Sequence, residues 1–170
     1  MKQKVWPAIN STFFTLIPKI ANSENSQGFH SISLCNVIYK IIATLIEKIL
    51  KPLLSSLISP EQIGFIEGRQ ILDGLVVTQE VIHSLTKKKQ KGMMIKFDFS
   101  KAYDPLSWKY LKKVLETFGF RNRWIEWVYN MISTPNFSIL INGFPTTTFN
   151  ATRGIRKGDP LSPFLFIMAT

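Results

Sequence analysis

Residues 97–104 read FDFSKAYD, and this stretch decides how the sequence is expected to fold. It overlaps a run, residues 93–100, in which strongly apolar side chains occupy every second position. Such alternation predicts a strand, with Asp98 on its less apolar face near the strand end. A strand end is a rigid place to hold a carboxylate for a hard cation such as Mg²⁺. One carboxylate makes no metal site, so a solvent-facing Asp98 stays open as the alternative.

A helix is predicted directly after this stretch. Asp104 is expected to be its N-cap and Pro105 its first residue, and Gly119 is expected to end it. Trp108, Leu111, Leu115 and Phe118 would share its buried face. A shorter helix is predicted through residues 124–131, followed by a strand at 137–141 and an Asn-Gly hairpin turn at 142–143.

A basic loop, residues 153–158 (RGIRKG), precedes the last apolar run of the chain. Asp159 is expected to be the N-cap of a helix that starts there. Backbone donors, a helix N-terminus and cationic side chains together suit a phosphate or a nucleic-acid backbone. An ordinary basic turn is the alternative that these residues leave open.

In the first half of the chain, the pattern predicts a strand at 12–17 that ends at Pro18, followed by a loop at 21–28. A long amphipathic helix is predicted from Val37 to Leu57, and Pro52 is expected to bend or divide it. A second amphipathic helix is predicted from Ile71 to Leu85. It runs into a lysine-rich segment, residues 87–91, which suits a solvated helix end or a nucleic-acid contact. Helices and hairpin strands mix without βαβ order, which predicts the α+β class.

The charge balance favours a polyanionic partner. The chain of 170 residues has 21 Lys and Arg against 11 Asp and Glu, a net charge of +10, although a basic soluble protein without such a partner has the same balance. The lone cysteine, Cys35, excludes an intrachain disulfide. Neither a signal peptide nor an apolar stretch of about 18 residues occurs. We therefore expect an intracellular protein, nuclear or cytoplasmic, without a membrane partner.

The motifs, taken in order, resemble those of reverse transcriptases from non-LTR (LINE-type) retrotransposons. DFSKAYD at 98–104 resembles their first palm motif, and GIRKGDPLSP at 154–163 resembles the motif that follows it. The segments that resemble fingers and palm regions of plant retroelement enzymes are TFFTLIPK at 12–19, ISLCNVIYKI at 32–41, FIEGRQI at 65–71 and LING at 140–143. The resemblance extends from about Thr12 to Thr170.

This resemblance implies an α+β right-hand polymerase, with a fingers region at 1–90 and a partial palm at 91–170. It implies an RNA-directed DNA polymerase, a nucleotidyltransferase acting on an RNA template, a DNA primer and deoxynucleotides with two Mg²⁺ ions. Asp98 would be the catalytic residue and metal ligand. The implied nucleotide-binding residues are Phe99, Tyr103, Arg156, Lys157 and Gly158, and the implied nucleic-acid-binding residues are Lys19, Arg69 and Arg153.

Departures from the family pattern limit the expected activity. The family's Tyr-x-Asp-Asp string, which supplies further metal carboxylates, is absent. His30 stands where the family has arginine, Lys157 where it has glutamine, and Pro105 where arginine is common. We therefore expect a truncated polymerase domain that is inactive on its own. A non-catalytic nucleic-acid-binding module and a retroelement remnant without function are the alternatives.

Overall fold

The computed structural model describes residues 9–21, 25, 28–95 and 101–170. The described chain forms two compact units, which we call unit 1 (Met1–Lys48 with Lys101–Thr170) and unit 2 (Ile49–Ser100). Its elements are β1 (Thr12–Pro18), β2 (Phe29–Cys35), α1 (Val37–Leu57), α2 (Ile71–Lys87), α3 (Trp108–Thr117), α4 (Asn122–Ser133), β3 (Asn136–Ile141), β4 (Phe144–Pro145), β5 (Phe149–Asn150) and α5 (Ser162–Ala169).

The strands form one sheet in the order β2-β1-β3-β4, and β5 also pairs with β3. β1 and β2 are antiparallel along their whole length, whereas β1 and β3 run parallel. The Asn142-Gly143 turn joins β3 to β4 with φ of 51° and 83°, which confirms the predicted hairpin. Helices combined with this mixed sheet confirm the α+β class. β2, at residues 29–35, was not predicted.

Three helices supply most of the core of unit 1 among the described residues. α3 packs against α4 and α5, and the buried apolar side chains of these helices are Leu111, Leu115, Ile125, Val128, Met131, Ile132, Phe164, Leu165, Ile167 and Met168. Gly119 follows the end of α3 with φ 79°, which confirms the predicted stop.

Two predicted N-caps are wrong. Ser107, not Asp104, caps α3, and its hydroxyl accepts a hydrogen bond from the amide of Tyr110. α5 begins at Ser162 rather than after Asp159. The Asp104 side chain pairs with Lys157 instead, and Asp159, although its Oδ1 accepts the Leu161 amide, lies three residues before the first residue of α5.

α1 is continuous through Pro52, so the proline does not divide it. The buried stripe consists of Tyr39, Ala43, Ile46, Leu50 and Leu54. Spacings of three and four residues place these side chains along one side of the helix.

In unit 2, α2 forms as predicted, but none of its residues is buried. The lysine-rich segment lies at its end, with Lys88 as C-cap. The predicted strand at 93–100 is not formed over the described residues Met93 to Ile95, which are all exposed, and residues 96–100 lie outside the described part. No helix of the described chain is long and apolar enough to cross a membrane.

Candidate functional site

The two segments that carry the sequence motifs lie against each other in unit 1. The amides of Gly154 and Ile155 donate to the carbonyls of Leu106 and Tyr103, at 2.8 and 3.0 Å. The indole of Trp108 donates to the Gly154 carbonyl at 2.6 Å. The turn at residues 101–106 and the loop at residues 153–158, which we call the basic loop, are therefore held together backbone to backbone.

Gly154 makes this close approach possible. Its φ is 87°, and a Cβ added there would lie 2.8 Å from the carbonyl oxygen of Asp104 and 3.1 Å from that of Tyr103. Both conditions exclude a side chain without local rearrangement. Steric exclusion of a side chain thus explains why glycine occupies position 154 of the motif.

The other end of the basic loop is bound to β2. The Ser33 amide donates to the Lys157 carbonyl at 2.9 Å, and a Cβ on Gly158, whose φ is 94°, would lie 3.2 Å from the Ser33 carbonyl oxygen. Three segments distant in sequence, β2, the 101–106 turn and the basic loop, are in this way assembled into one site.

Lys157 forms an ion pair with Asp104, with 3.3 Å between Nζ and Oδ2 and both side chains partly exposed. The pair lies beside a cavity of about 190 Å³. Half of its lining residues are aromatic or cationic, and the lining comprises Phe14, Ser31, Asp104, Ile132, Phe137, Phe149, Ala151, Arg153, Gly154, Ile155, Arg156 and Lys157. Arg153 is exposed at this site, so its guanidinium and the Lys157 ammonium can meet an anion from solvent.

Arg156, the residue before Lys157, lies in the interior, with 5% of its surface exposed. Its guanidinium donates to Asn10 Oδ1 at 2.9 Å, to Thr12 Oγ1 at 3.0 Å and to the Met131 carbonyl at 3.0 Å. Its central carbon lies 3.8 Å from the ring centroid of Tyr39, a cation–π distance. The side chain that sequence reasoning directed at a nucleotide therefore faces the protein core.

Asp159 completes this buried group. Its Oδ2 lies 3.5 Å from Nε of Arg156 and accepts the Tyr39 hydroxyl, while its Oδ1 accepts the Leu161 amide at 3.0 Å. Burial, followed by the charge of Asp159, raises the pKa of Tyr39 well above 10.0, so the phenol stays protonated and can donate. We call Tyr39, Arg156 and Asp159 the buried triad.

The sequence predictions missed Tyr39, and they treated Asp159 as a helix cap only. A signal for Tyr39 was present, because it starts the stripe of α1 that continues with Ala43 and Ile46. A tyrosine in a buried stripe needs a partner for its hydroxyl. Nothing local in the sequence identifies that partner, which lies 120 residues away.

Tyr103 lies at the turn that contacts the basic loop. Its ring centroid is 5.2 Å from that of Phe166 in α5, and burial raises the pKa of its hydroxyl. The ring is therefore oriented by α5 while part of it stays exposed.

The remaining predicted residues are distributed as follows. Asp98 and Phe99 lie outside the described residues. Lys19 is exposed just after β1, where its amide donates to the Gly28 carbonyl. In unit 2, the guanidinium of Arg69 donates to backbone carbonyls at and beyond the end of α1, those of Ser55, Ile58, Ser59 and Gln62.

The described carboxylates do not form a metal site. No group of three or more His, Cys, Asp or Glu that could hold a metal ion occurs among residues 9–21, 25, 28–95 and 101–170. At the candidate site, Asp104 is paired with Lys157 and Asp159 with Arg156. Each of these two carboxylates already lies beside a cationic side chain, whose charge would repel a bound metal ion.

Comparison with known proteins identifies the family. The family described as reverse transcriptase (RNA-dependent DNA polymerase) matches residues 17–170. The Transposon TX1 uncharacterized 149 kDa protein of Xenopus laevis is 27% identical over 91% of this chain and 12% of its own length. The Pol polyprotein of the type-2 retrotransposable element R2DM of Drosophila melanogaster is 29% identical over 88% of this chain and 14% of its own length.

A solved structure shows the same fold. Apo telomerase from Candida tropicalis, truncated from its C-terminal domain, superposes with a TM-score of 0.58 and 18% identity. The alignment covers 97% of this chain and 39% of the telomerase chain. The chain thus spans only a small part of the length of the curated relatives that it matches.

Proposed function

The chain belongs to the reverse transcriptase family, and we propose that unit 1 supplies the nucleotide-facing and template-facing surface of an RNA-directed DNA polymerase from a non-LTR retrotransposon. The observation that carries this proposal is the junction of the 101–106 turn with the basic loop beside a cation-lined cavity. The substrates would be an RNA template, a DNA primer and deoxynucleotides.

Lys157 and Arg153 are the proposed phosphate contacts. An exposed ion pair such as Lys157–Asp104 is weak, so an incoming phosphate can replace Asp104 as the partner of the ammonium. Arg153 offers a fork of donors that suits two phosphate oxygens. Gly158 is proposed as part of this surface on the family resemblance alone, since the position of its missing Cβ lies against the backbone of β2.

Tyr103 is proposed to lie beneath the sugar of the incoming nucleotide, as the family resemblance implies. Its contact with Phe166 holds the ring in one orientation. Packing of this kind suits a residue that selects by shape, because a fixed ring cannot move aside for an extra hydroxyl.

Reverse transcriptases generally use divalent metal ions, which stabilise charge on the transferring phosphate. We propose Asp98, with Phe99 beside it, for the Mg²⁺-binding and nucleotide-binding end of the palm segment, on the family resemblance alone. Asp104 and Asp159 are not proposed as ligands because each is paired with a cation.

We also propose the division into fingers at 1–90 and partial palm at 91–170, with Lys19 on the nucleic-acid side of the fingers. For Arg69 we propose a different role from the one that its motif suggests. Its guanidinium donates to four backbone carbonyls in unit 2, which is the chemistry of a helix C-cap.

Binding of a primer–template hybrid at several salt concentrations tests the proposal. Arg153→Gln and Lys157→Gln are each expected to weaken binding and to lower the salt slope by roughly one unit, the effect of one lost phosphate contact. Lys112→Gln is the matched control, since Lys112 pairs with Glu116 on the exposed surface of α3. Equal losses in all three variants would mean diffuse attraction to the +10 chain and would overturn the assigned site.

Primer extension with Mg²⁺ separates polymerase chemistry from binding alone. We expect this chain to bind without extending the primer, because its sequence lacks the Tyr-x-Asp-Asp string. Extension that Asp98→Ala abolishes would contradict the expected inactivity and would support Asp98 as the metal ligand. Binding that ignores both Mg²⁺ and Asp98→Ala would favour a non-catalytic nucleic-acid-binding module.

A further inference from the structure

The buried triad lies directly behind the basic loop. Arg156 and Lys157 are consecutive, yet the first side chain is in the core and the second is partly exposed beside Asp104. The two residues share one peptide unit, at the point where the loop enters the turn at residues 157–158. Whatever holds Arg156 therefore also sets the direction of Lys157.

Arg156 is held from four separate places in unit 1. Its contacts are Asn10 before β1, Thr12 in β1, Tyr39 in α1 and Met131 in α4, in addition to Asp159. Asn10 is itself fixed, because its amide nitrogen donates to the Met131 carbonyl and to Thr134 Oγ1. The middle of the basic loop is thus fastened to the sheet and to two helices at once.

Stability alone does not account for such a group. Apolar side chains of similar volume often stabilise a protein as well as a buried ion pair does. A planar guanidinium has its donors in a rigid fork, so it can bond to all of its partners only when they are in one arrangement. The buried triad therefore restricts the basic loop to a single position.

We propose that Arg156, Tyr39 and Asp159 are positioning residues that hold the basic loop so that Lys157 meets the phosphates of the bound nucleotide or template. This inference rests on the proposed function of the basic loop. The triad itself does not touch the substrate, so its effect on binding passes through Lys157.

Hydrogen exchange tests the anchoring step without any ligand. Tyr39→Phe removes the hydroxyl bonded to Asp159 and keeps the ring beneath Arg156. We expect the Gly154 and Ile155 amides to exchange about tenfold faster, the effect of losing one hydrogen bond to a buried charge. Tyr110→Phe, in which an exposed ring loses its hydroxyl, is the matched control and should change neither amide.

A purely structural role gives a different exchange pattern. The Leu115 amide in α3 would then exchange faster, because global unfolding becomes easier, while the two loop amides would keep their rates. That result would overturn the proposal. Arg156→Lys is the second variant: it keeps the charge, loses the fork, and should also speed exchange of the loop amides.

A double-mutant cycle on primer–template affinity tests the step through Lys157. Tyr39→Phe should weaken binding several-fold in the wild-type chain and have no further effect in a Lys157→Gln background, because coupled residues are not additive. Additive losses would overturn the positioning role. If the wild-type chain does not bind the hybrid, the proposed function fails, and the exchange result still decides whether the triad anchors the loop.

Discussion

Two arginines that the sequence assigns to nucleic acid or nucleotide have different surroundings in the two units. Arg156 in unit 1 is buried against an aspartate, a tyrosine ring and three oxygen acceptors. Arg69 in unit 2 is only partly buried and donates to backbone carbonyls near the end of α1. Both guanidinium groups donate to oxygen atoms of the chain itself. Net positive charge therefore overstates the number of cations that a polyanion can reach.

The largest expected effect comes from removing each guanidinium in turn. Arg156→Met leaves the Asp159 carboxylate buried without its cation and should cost about 3–5 kcal/mol of unfolding free energy. Arg69→Met leaves carbonyls that water can partly reach and should cost about 1–2 kcal/mol. Urea unfolding followed by circular dichroism measures both. Equal losses would remove the distinction between the two sites.

Gly154 in unit 1 and Gly68 in unit 2 have similar backbone conformations but different surroundings. Gly154 and Gly68 have φ of 87° and 80°, but only Gly154 has atoms within 4 Å of the position that a Cβ would take. Gly68→Ala should cost about 1–2 kcal/mol for the left-handed conformation. Gly154→Ala adds the collision with Asp104 and should cost about 2–5 kcal/mol in total. Thermal unfolding of the two variants gives the order, and a larger loss for Gly68→Ala would contradict the packing described for the basic loop.

The smallest effect is a change in alkaline stability. Burial and Asp159 raise the pKa of Tyr39 in the folded chain. The protonated phenol therefore contributes its full stabilisation of the folded state below pH 10, and this stabilisation is lost as the pH rises above that value. Tyr39→Phe removes this titration, and the fall of unfolding free energy between about pH 10 and 11.5 should be shallower by up to about 1.4 kcal/mol per pH unit. An unchanged slope would mean that the hydroxyl is not buried against Asp159.

Local chemistry made part of the fold predictable. The Asn142-Gly143 turn and the stop at Gly119 both need a positive φ, which the glycines supply whatever the tertiary structure is. The predicted start of α3 at Asp104 was wrong, although aspartate is a good N-cap residue. A tertiary contact, the ion pair with Lys157, engages Asp104 and leaves the cap to Ser107.

The candidate site was predictable in its segments and not in the direction of its side chains. The family resemblance assigned residues of both the 101–106 turn and the basic loop to the nucleotide, and backbone hydrogen bonds join these two segments. Which of Arg153, Arg156 and Lys157 faces solvent depends on Asn10, Tyr39 and Met131, and no local pattern connects those residues. Burial of a cation is decided by such distant partners.

Nuclear magnetic resonance of the amides tests the central claim most directly, since it shows where a ligand binds in either unit. A primer–template hybrid with a deoxynucleotide in Mg²⁺ buffer would be titrated into the wild-type chain and into Lys157→Gln. We predict the largest shift changes at Tyr103, Asp104 and residues 153–158, and much smaller changes in Lys157→Gln. Changes concentrated in α2 and the lysine-rich segment, with the basic loop unaffected, would contradict the account.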